Sequence, residues 1–241
     1  MKKIYSGGKS YMKPGFKYEI FTIIALVSFL IVPTAALAQL NCQSEIYQPA
    51  TNDPKDKFKK GYCFIKLGQY LQGVTRLKGV ESELPALADY VIYYQAAGYE
   101  NLGDYSSSST LFNKILTQYP ESGLKKKTLA RLGSIYTQSG DYVNAERIFR
   151  SLSLEEKNRS TKASYLLGLG EALEKQGKYG DALITYKRIW VQYPETKSST
   201  EAYTTANRIS NTQGIAFQPS QSDYLERANI LFDKSRWSSA L

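Results

Sequence analysis

The sequence predicts an all-α fold, a solenoid of stacked antiparallel helix pairs, and three observations predict it. A glycine, one residue and a tyrosine recur at Gly68-Gln69-Tyr70, Gly103-Asp104-Tyr105, Gly140-Asp141-Tyr142 and Gly177-Lys178-Tyr179, with the tyrosines 35, 37 and 37 residues apart. Around each tyrosine the same residue classes return at fixed offsets. A small residue stands nine before (Gly61, Ala96, Gly133, Gly170) and a large one six before (Phe64, Tyr99, Tyr136, Leu173). A small one stands three after (Gly73, Ser108, Ala145, Ala182) and a large one seven after (Leu77, Phe112, Phe149, Tyr186). The composition, 42% hydrophobic and 22% charged with 8 prolines in 241 residues, suits packed helices rather than disorder.

Each offset has a physical reason. Small residues on facing helices let the two approach closely, and large residues at helical spacing fill the seam between them. The glycine ends the first helix in a left-handed conformation that a Cβ disfavours. Asp104 and Asp141 stand where a side chain caps the second helix. Pro120 and Pro194, each after a tyrosine, stop that helix because proline cannot continue it. One pair does not bury its apolar face alone, so pairs stack, and the interval is the length of one unit.

Read from the N-terminus, the first 38 residues stand apart. Five lysines precede the apolar run Ile20–Val32, which Pro33 breaks ahead of Ala36-Leu37-Ala38. A basic head, a short apolar run and a small-x-small site are the layout of a secretory signal peptide, and the run is short for a membrane span. Residues 1–38 are therefore expected to be a signal peptide cleaved after Ala38. An uncleaved anchor is the alternative, and Met12 is an alternative start. Residues 39–52 read as an N-terminal tail. Export to an oxidising compartment favours a disulfide between Cys42 and Cys63, closing a loop of 21 residues. Lipidation of Cys42 is the competing reading, although Asn41 is not the small residue usual before a lipidated cysteine.

Repeats occupy 53–210. Asp53-Pro54 supplies an N-cap and a first-turn proline, and the first unit, with Gly73 at its second-helix small position, reads as a degenerate cap. Ser198-Ser199-Thr200-Glu201 reads as a capping box opening a helix to about Ile209. Residues 211–222, polar and punctuated by glycine and proline, read as a linker. Residues 223–241 restart the pattern, with Ser235-Arg236-Trp237 in place of Gly-x-Tyr, Ala240 after it, and Leu231 and Ala228 before it. A truncated repeat, and with it a fragment of a longer chain, is the expectation.

The order small residue, aromatic, Gly-x-Tyr, Ala, Phe or Tyr, Pro resembles the tetratricopeptide repeat over Asp53–Thr196, best in the last two full units. The resemblance implies a tetratricopeptide-like α-solenoid wound as a right-handed superhelix, with first helices lining a concave binding face. By repeat phase, Tyr90, Tyr93, Asn101, Lys127, Ser134, Gln138, Glu171 and Lys175 are exposed positions of that face. Tyr90 and Tyr93 are placed to stack on sugar rings or on a peptide, or else to pack on the neighbouring unit. The polar members are a binding set or a solvated face.

The net charge of +9 is partly that of the leader, since 26 basic and 21 acidic residues follow position 38. The excess is spread along the chain, a mixed surface rather than a nucleic-acid stripe, and Lys125-Lys126-Lys127 reads as a solvated helix start. Without a histidine, and with 2 cysteines, the chain has no His-containing metal site and no His-dependent nucleophile. No cofactor or metal is expected.

Three stretches look like a narrower family. Leu84-Pro85-Ala86-Leu87-Ala88-Asp89-Tyr90, Ile189-Trp190-Val191-Gln192-Tyr193-Pro194 and Tyr224-Leu225-Glu226-Arg227-Ala228, in this order, resemble the N-terminal helical superhelix of soluble lytic murein transglycosylases. These are exported bacterial enzymes that cleave peptidoglycan glycan strands. In that family a lysozyme-like domain follows, with a Glu-Ser pair whose glutamate is acid and base, and a Gly-Leu-Met-Gln signature. Here methionine occurs at positions 1 and 12 alone, and Glu121-Ser122 follows Tyr119-Pro120 in an inter-unit turn, so no catalytic residue is carried over. The resemblance implies an exported noncatalytic arm of such an enzyme, beside peptidoglycan. The alternative is a self-contained periplasmic scaffold binding envelope proteins. Neither reading involves nucleic acid, and a membrane enters only with an uncleaved signal or a lipidated Cys42.

Overall fold

The computed structural model describes residues 42–238, with side chains through Ser235, and every regular element among them is helical. The expected signal peptide and Ala240 lie outside the described residues. The chain divides into two units, of which the N-terminal one, ending at Gln48, is helical over 42–47. Cys42 and Cys63 are both disulfide-bonded.

The second unit, from Pro49 onward, is a stack of helix pairs. Helices α1 (Pro54–Lys66) and α2 (Tyr70–Leu77) make the first, followed by a short α3 (Val80–Glu83) and a 3₁₀ turn at Pro85–Leu87. Then α4 (Ala88–Asn101) pairs with α5 (Tyr105–Gln118), α6 (Lys125–Ser139) with α7 (Tyr142–Glu155), and α8 (Arg159–Lys175) with α9 (Tyr179–Gln192). Two further helices follow, α10 (Lys197–Gln213) and α11 (Gln221–Ser238). Each second helix also packs on the first helix of the next pair: α2 on α4, α5 on α6, α7 on α8, α9 on α10. This nearest-neighbour stacking makes the fold an all-α, tetratricopeptide-like solenoid.

The turns form as the offsets require. Gly68, Gly103, Gly140 and Gly177 all take positive φ, between 76° and 87°. The Asp104 carboxylate accepts from the Ser107 amide at 3.0 Å and that of Asp141 from the Asn144 amide at 3.2 Å. Asp53 likewise caps α1, with Pro54 in its first turn. Asn158 caps α8 by accepting from the Thr161 amide at 3.0 Å. The second helices end at Gln118 and Gln192, ahead of Pro120 and Pro194.

The seams explain the paired small and large residues. A Cβ on Gly170 would lie 2.6 Å from the Tyr186 ring, and one on Gly61 would lie 2.5 Å from Leu77. Gly133 sits against Phe149 in the same way. In the α4–α5 seam the small residue is Ala96, whose carbonyl accepts from the buried Ser108 hydroxyl at 2.8 Å. The first pair, expected to be a degenerate cap, has a second helix of 8 residues. Its seam is nevertheless complete, because a Cβ on Gly73 would meet Ile65 at 2.4 Å. Ile65, Val74, Leu77, Val80 and Val91 form a small apolar cluster there, and a longer one runs from Ile92 to Phe217. Tyr94 packs against both.

Two expectations fail at the C-terminal end. Ser198-Ser199-Thr200-Glu201 is not a capping box, because α10 is already under way at Lys197 and its N-cap, Thr196, makes no capping bond. Ser198 and Ser199 are instead buried inside the first turn. Nor does the chain turn at Ser235-Arg236-Trp237. No residue there is a glycine, and α11 runs through to Ser238. The left-handed glycine is Gly214, at φ 66°, which ends α10. The irregular segment is thus shorter than 211–222, lying between Gly214 and Ser220.

Candidate functional site

Three hollows follow one another along the side formed by the first helices. The first, of ≈ 370 Å³, lies among α1, α4 and α6. The second, of ≈ 310 Å³, lies between α6 and α8, and the third, of ≈ 260 Å³, between α8 and α10. Helical spacing puts them there. On each first helix the small and large seam residues face the paired helix, which leaves positions three and four apart to line the open side.

The first hollow is walled by tyrosines and cations. Tyr90, Tyr93, Asn101 and Lys127 all line it, together with Tyr94 and Arg131. Tyr90 is 40% exposed. Tyr93 was expected to be exposed and is not, with 9% of its surface left. Its ring turns into the seam, edge-on to Phe112 at 5.6 Å and to Tyr94 at 5.5 Å. The Arg131 guanidinium covers it at 5.7 Å from the ring centroid and donates Nε–H to its hydroxyl at 3.1 Å. Arg131 also pairs with Glu100, so this cation is neutralised. Lys66 lies over the Tyr62 ring at 5.6 Å. Lys127 is exposed and forms no ion pair among the described residues. Burial, with the Tyr62, Tyr93 and Tyr90 phenols around it, pushes the Tyr94 hydroxyl up.

Ser134, Gln138 and Glu171 line the second hollow, beside Ser164 and Gly168. Glu171 and Lys175 line the third, with Glu174, Glu201 and Arg208. Burial pushes the Glu171 carboxyl up; Lys175 opposes the shift, while Glu174 and Glu201 add to it. Arg208 pairs with Glu174 at 2.6 Å. Glu171 and Glu201 form no ion pair among the described residues.

The lining groups missed by phase include the charged or half-buried Lys66, Tyr94, Arg131, Glu174, Glu201 and Arg208. Arg131 stands four residues after Lys127, so the same helical spacing points to it. Glu201 and Arg208 sit on α10, whose phase was hidden by the broken pattern after Pro194.

Glu121 is exposed, and the Ser122 hydroxyl donates to Asp89 while accepting the Leu124 amide at 3.1 Å, which makes the pair a turn element. The Lys125–Lys127 run begins α6 and is exposed throughout. Among the described residues no group of His, Cys, Asp or Glu is gathered to hold a metal ion, and no helix is long and apolar enough to cross a membrane. What the face offers is shape, phenols and charge, the means of holding a ligand.

Tetratricopeptide-repeat family models match residues 90–122, 128–163 and 164–196. Among solved structures the chain is similar to MamA of MSR-1, with a TM-score of 0.53 and 19% identity over 76% of this chain and 98% of that one. It is also similar to nearly identical TPR-like repeats of a Podosopora anserina protein assigned as a kinesin light chain, with a TM-score of 0.57 and 12% identity over 77% and 100%. At these identities the likeness is one of fold. No curated protein matches the chain.

Proposed function

We propose that this tetratricopeptide-repeat chain is a scaffold that binds a protein partner along its first-helix face, outside the cytoplasm. The observation that carries the reading is the row of three hollows, floored in part by seam rings such as Phe149 and Tyr186 and rimmed by exposed side chains such as Tyr90, Lys127, Gln138 and Lys175. Repeat solenoids present such extended faces to partners. The basic head, apolar run and small-x-small site of residues 1–38 support export, and so does the disulfide-bonded state of both cysteines. Envelope proteins are then the partners within reach. The matches lend no support to a transglycosylase arm, so peptidoglycan is not the ligand proposed.

The test is capture from the native envelope fraction with the full chain. Its control is a variant carrying Tyr90→Ala, Gln138→Arg and Lys175→Ala, each on an exposed position. A protein recovered by the native face and lost with the variant supports the reading. Equal recovery by both chains, or recovery of glycan without protein, overturns it.

A further inference from the structure

The two ends of the first-helix face carry opposite unpaired charge. In the first hollow, Lys66 and Lys127 have no ion-pair partner among the described residues, and Arg131 is already neutralised by Glu100. In the third, Glu171 and Glu201 stand without an ion pair, against one unpaired cation, Lys175; the remaining charges there, Glu174 and Arg208, pair with each other. Between them, the second hollow is neutral apart from the shared Glu171. Packed helices lie roughly 8–10 Å apart; Lys127 and Glu171 stand one helix spacing apart and Lys66 and Glu201 four, so the centres of the two poles lie about 20 Å apart. The interaction between exposed charges is largely screened beyond about 8 Å at physiological salt, so the centre of neither pole cancels the other. Concave walls strengthen each field locally.

We propose, resting on the scaffold reading above, that this face is an electrically polarised groove that takes an extended peptide segment with its charged blocks in one order along the face. Acidic residues of the segment lie over Lys66 and Lys127. Basic residues lie over Glu171 and Glu201. An extended chain advances about 3.3 Å per residue, so the two charged blocks stand roughly six residues apart. Tyr90, half-exposed beside Lys127, receives an apolar or aromatic residue next to the acidic block. The neutral second hollow, with Ser134, Gln138 and Ser164, hydrogen-bonds the intervening backbone.

The test uses three fluorescent synthetic peptides of one composition against the full chain. One has Glu-Glu at its start and Lys-Lys at its end, with six Ser, Gln and Tyr residues between. The second is its reverse, and the third intersperses the same charges. Binding is read by anisotropy at about 50 mM and about 500 mM salt. Both block peptides are expected to bind about tenfold tighter than the interspersed one, since each can lay its acidic block over the lysines and its basic block over the glutamates, with most of the advantage lost at high salt. Lys66→Glu with Lys127→Glu removes the advantage, and so does Glu171→Lys with Glu201→Lys, while circular-dichroism melts stay unchanged. Equal binding of all three peptides overturns the proposal. An advantage that survives reversal of either pole overturns it too. If the native partner is lost on the Tyr90, Gln138 and Lys175 variant while no block advantage exists, the scaffold reading stands and the polarity alone falls.

Discussion

The pairs from α1 to α9 and the final helix α11 solve one problem, attaching a helix to a stack, with different chemistry. In the pairs the attachment is steric: a glycine or alanine on one helix admits a large side chain from the next. Helix α11 instead packs on α9 through side-chain chemistry. Arg227 stacks over Trp190 at 4.7 Å and donates to the Ser199 hydroxyl at 2.9 Å and to the Trp190 carbonyl. Tyr224 meets Trp190 edge-on at 5.1 Å, and Asp223 pairs with Lys187 at 3.4 Å. Beyond these contacts Leu231 and Phe232 are exposed, at 40% and 61%. A steric seam buries a whole flank and is lost as a whole, whereas a polar anchor is local and leaves the rest of its helix to the solvent.

Three measurements break or sharpen this contrast. The largest effect belongs to the seam. Gly170→Val forces a branched side chain against the buried Tyr186 ring and is expected to cost about 3 kcal/mol in urea unfolding. Its companion Gly180→Ala, on the next helix with nothing within 4 Å of the new Cβ, gains up to about 1 kcal/mol from helix propensity. Equal effects at the two sites would mean that the seam is not close-packed. Next comes the anchor. Arg227→Met removes its hydrogen bonds for about 1–2 kcal/mol. The loss is expected as faster amide exchange confined to α11, with α4–α9 unchanged.

The smallest effect is the pH dependence of an inter-unit bridge. Arg150, then Lys178 and Gln176, hold the Glu146 carboxyl down at about 2, below its ordinary 4.5. The folded value is depressed, so the bridge contributes in full above pH 4.5 and its contribution is lost as the pH falls towards 2. At this partly screened site the amount is about 1 kcal/mol. Glu146→Gln should flatten that part of the acid limb in a pH-resolved denaturation series, and an unchanged limb would mean that the bridge does not form.

The seams were legible in the sequence because both partners of each lie inside one unit. Gly61 and Leu77, Gly133 and Phe149, Gly170 and Tyr186 are each sixteen residues apart, so one offset carries the packing. The anchor of α11 was not legible. An arginine on a helix has no local sign of the tryptophan that it will cover 37 residues earlier. The first-helix face was readable to the level of phase: every position named from phase lines a hollow. Phase did not give the depth of Tyr93, which depends on how Arg131 and Phe112 close around its ring. The poles of the face escaped for a related reason. Whether a lysine or glutamate is neutralised depends on a partner some thirty residues away, as with Arg131 and Glu100 or Arg208 and Glu174.

The constant offset also bears on heredity. Each unit carries both halves of its own lock, so the chain can lose or gain one without rewriting the rest. Excising residues 105–141 would join Asp104 to Tyr142 in the same phase, with Ala96 then meeting Phe149 where it now meets Phe112. A ring would still face an alanine, and a capping aspartate would still precede a tyrosine. Such a length change is open to α1–α9 and closed to α11, whose arginine recognises one particular tryptophan.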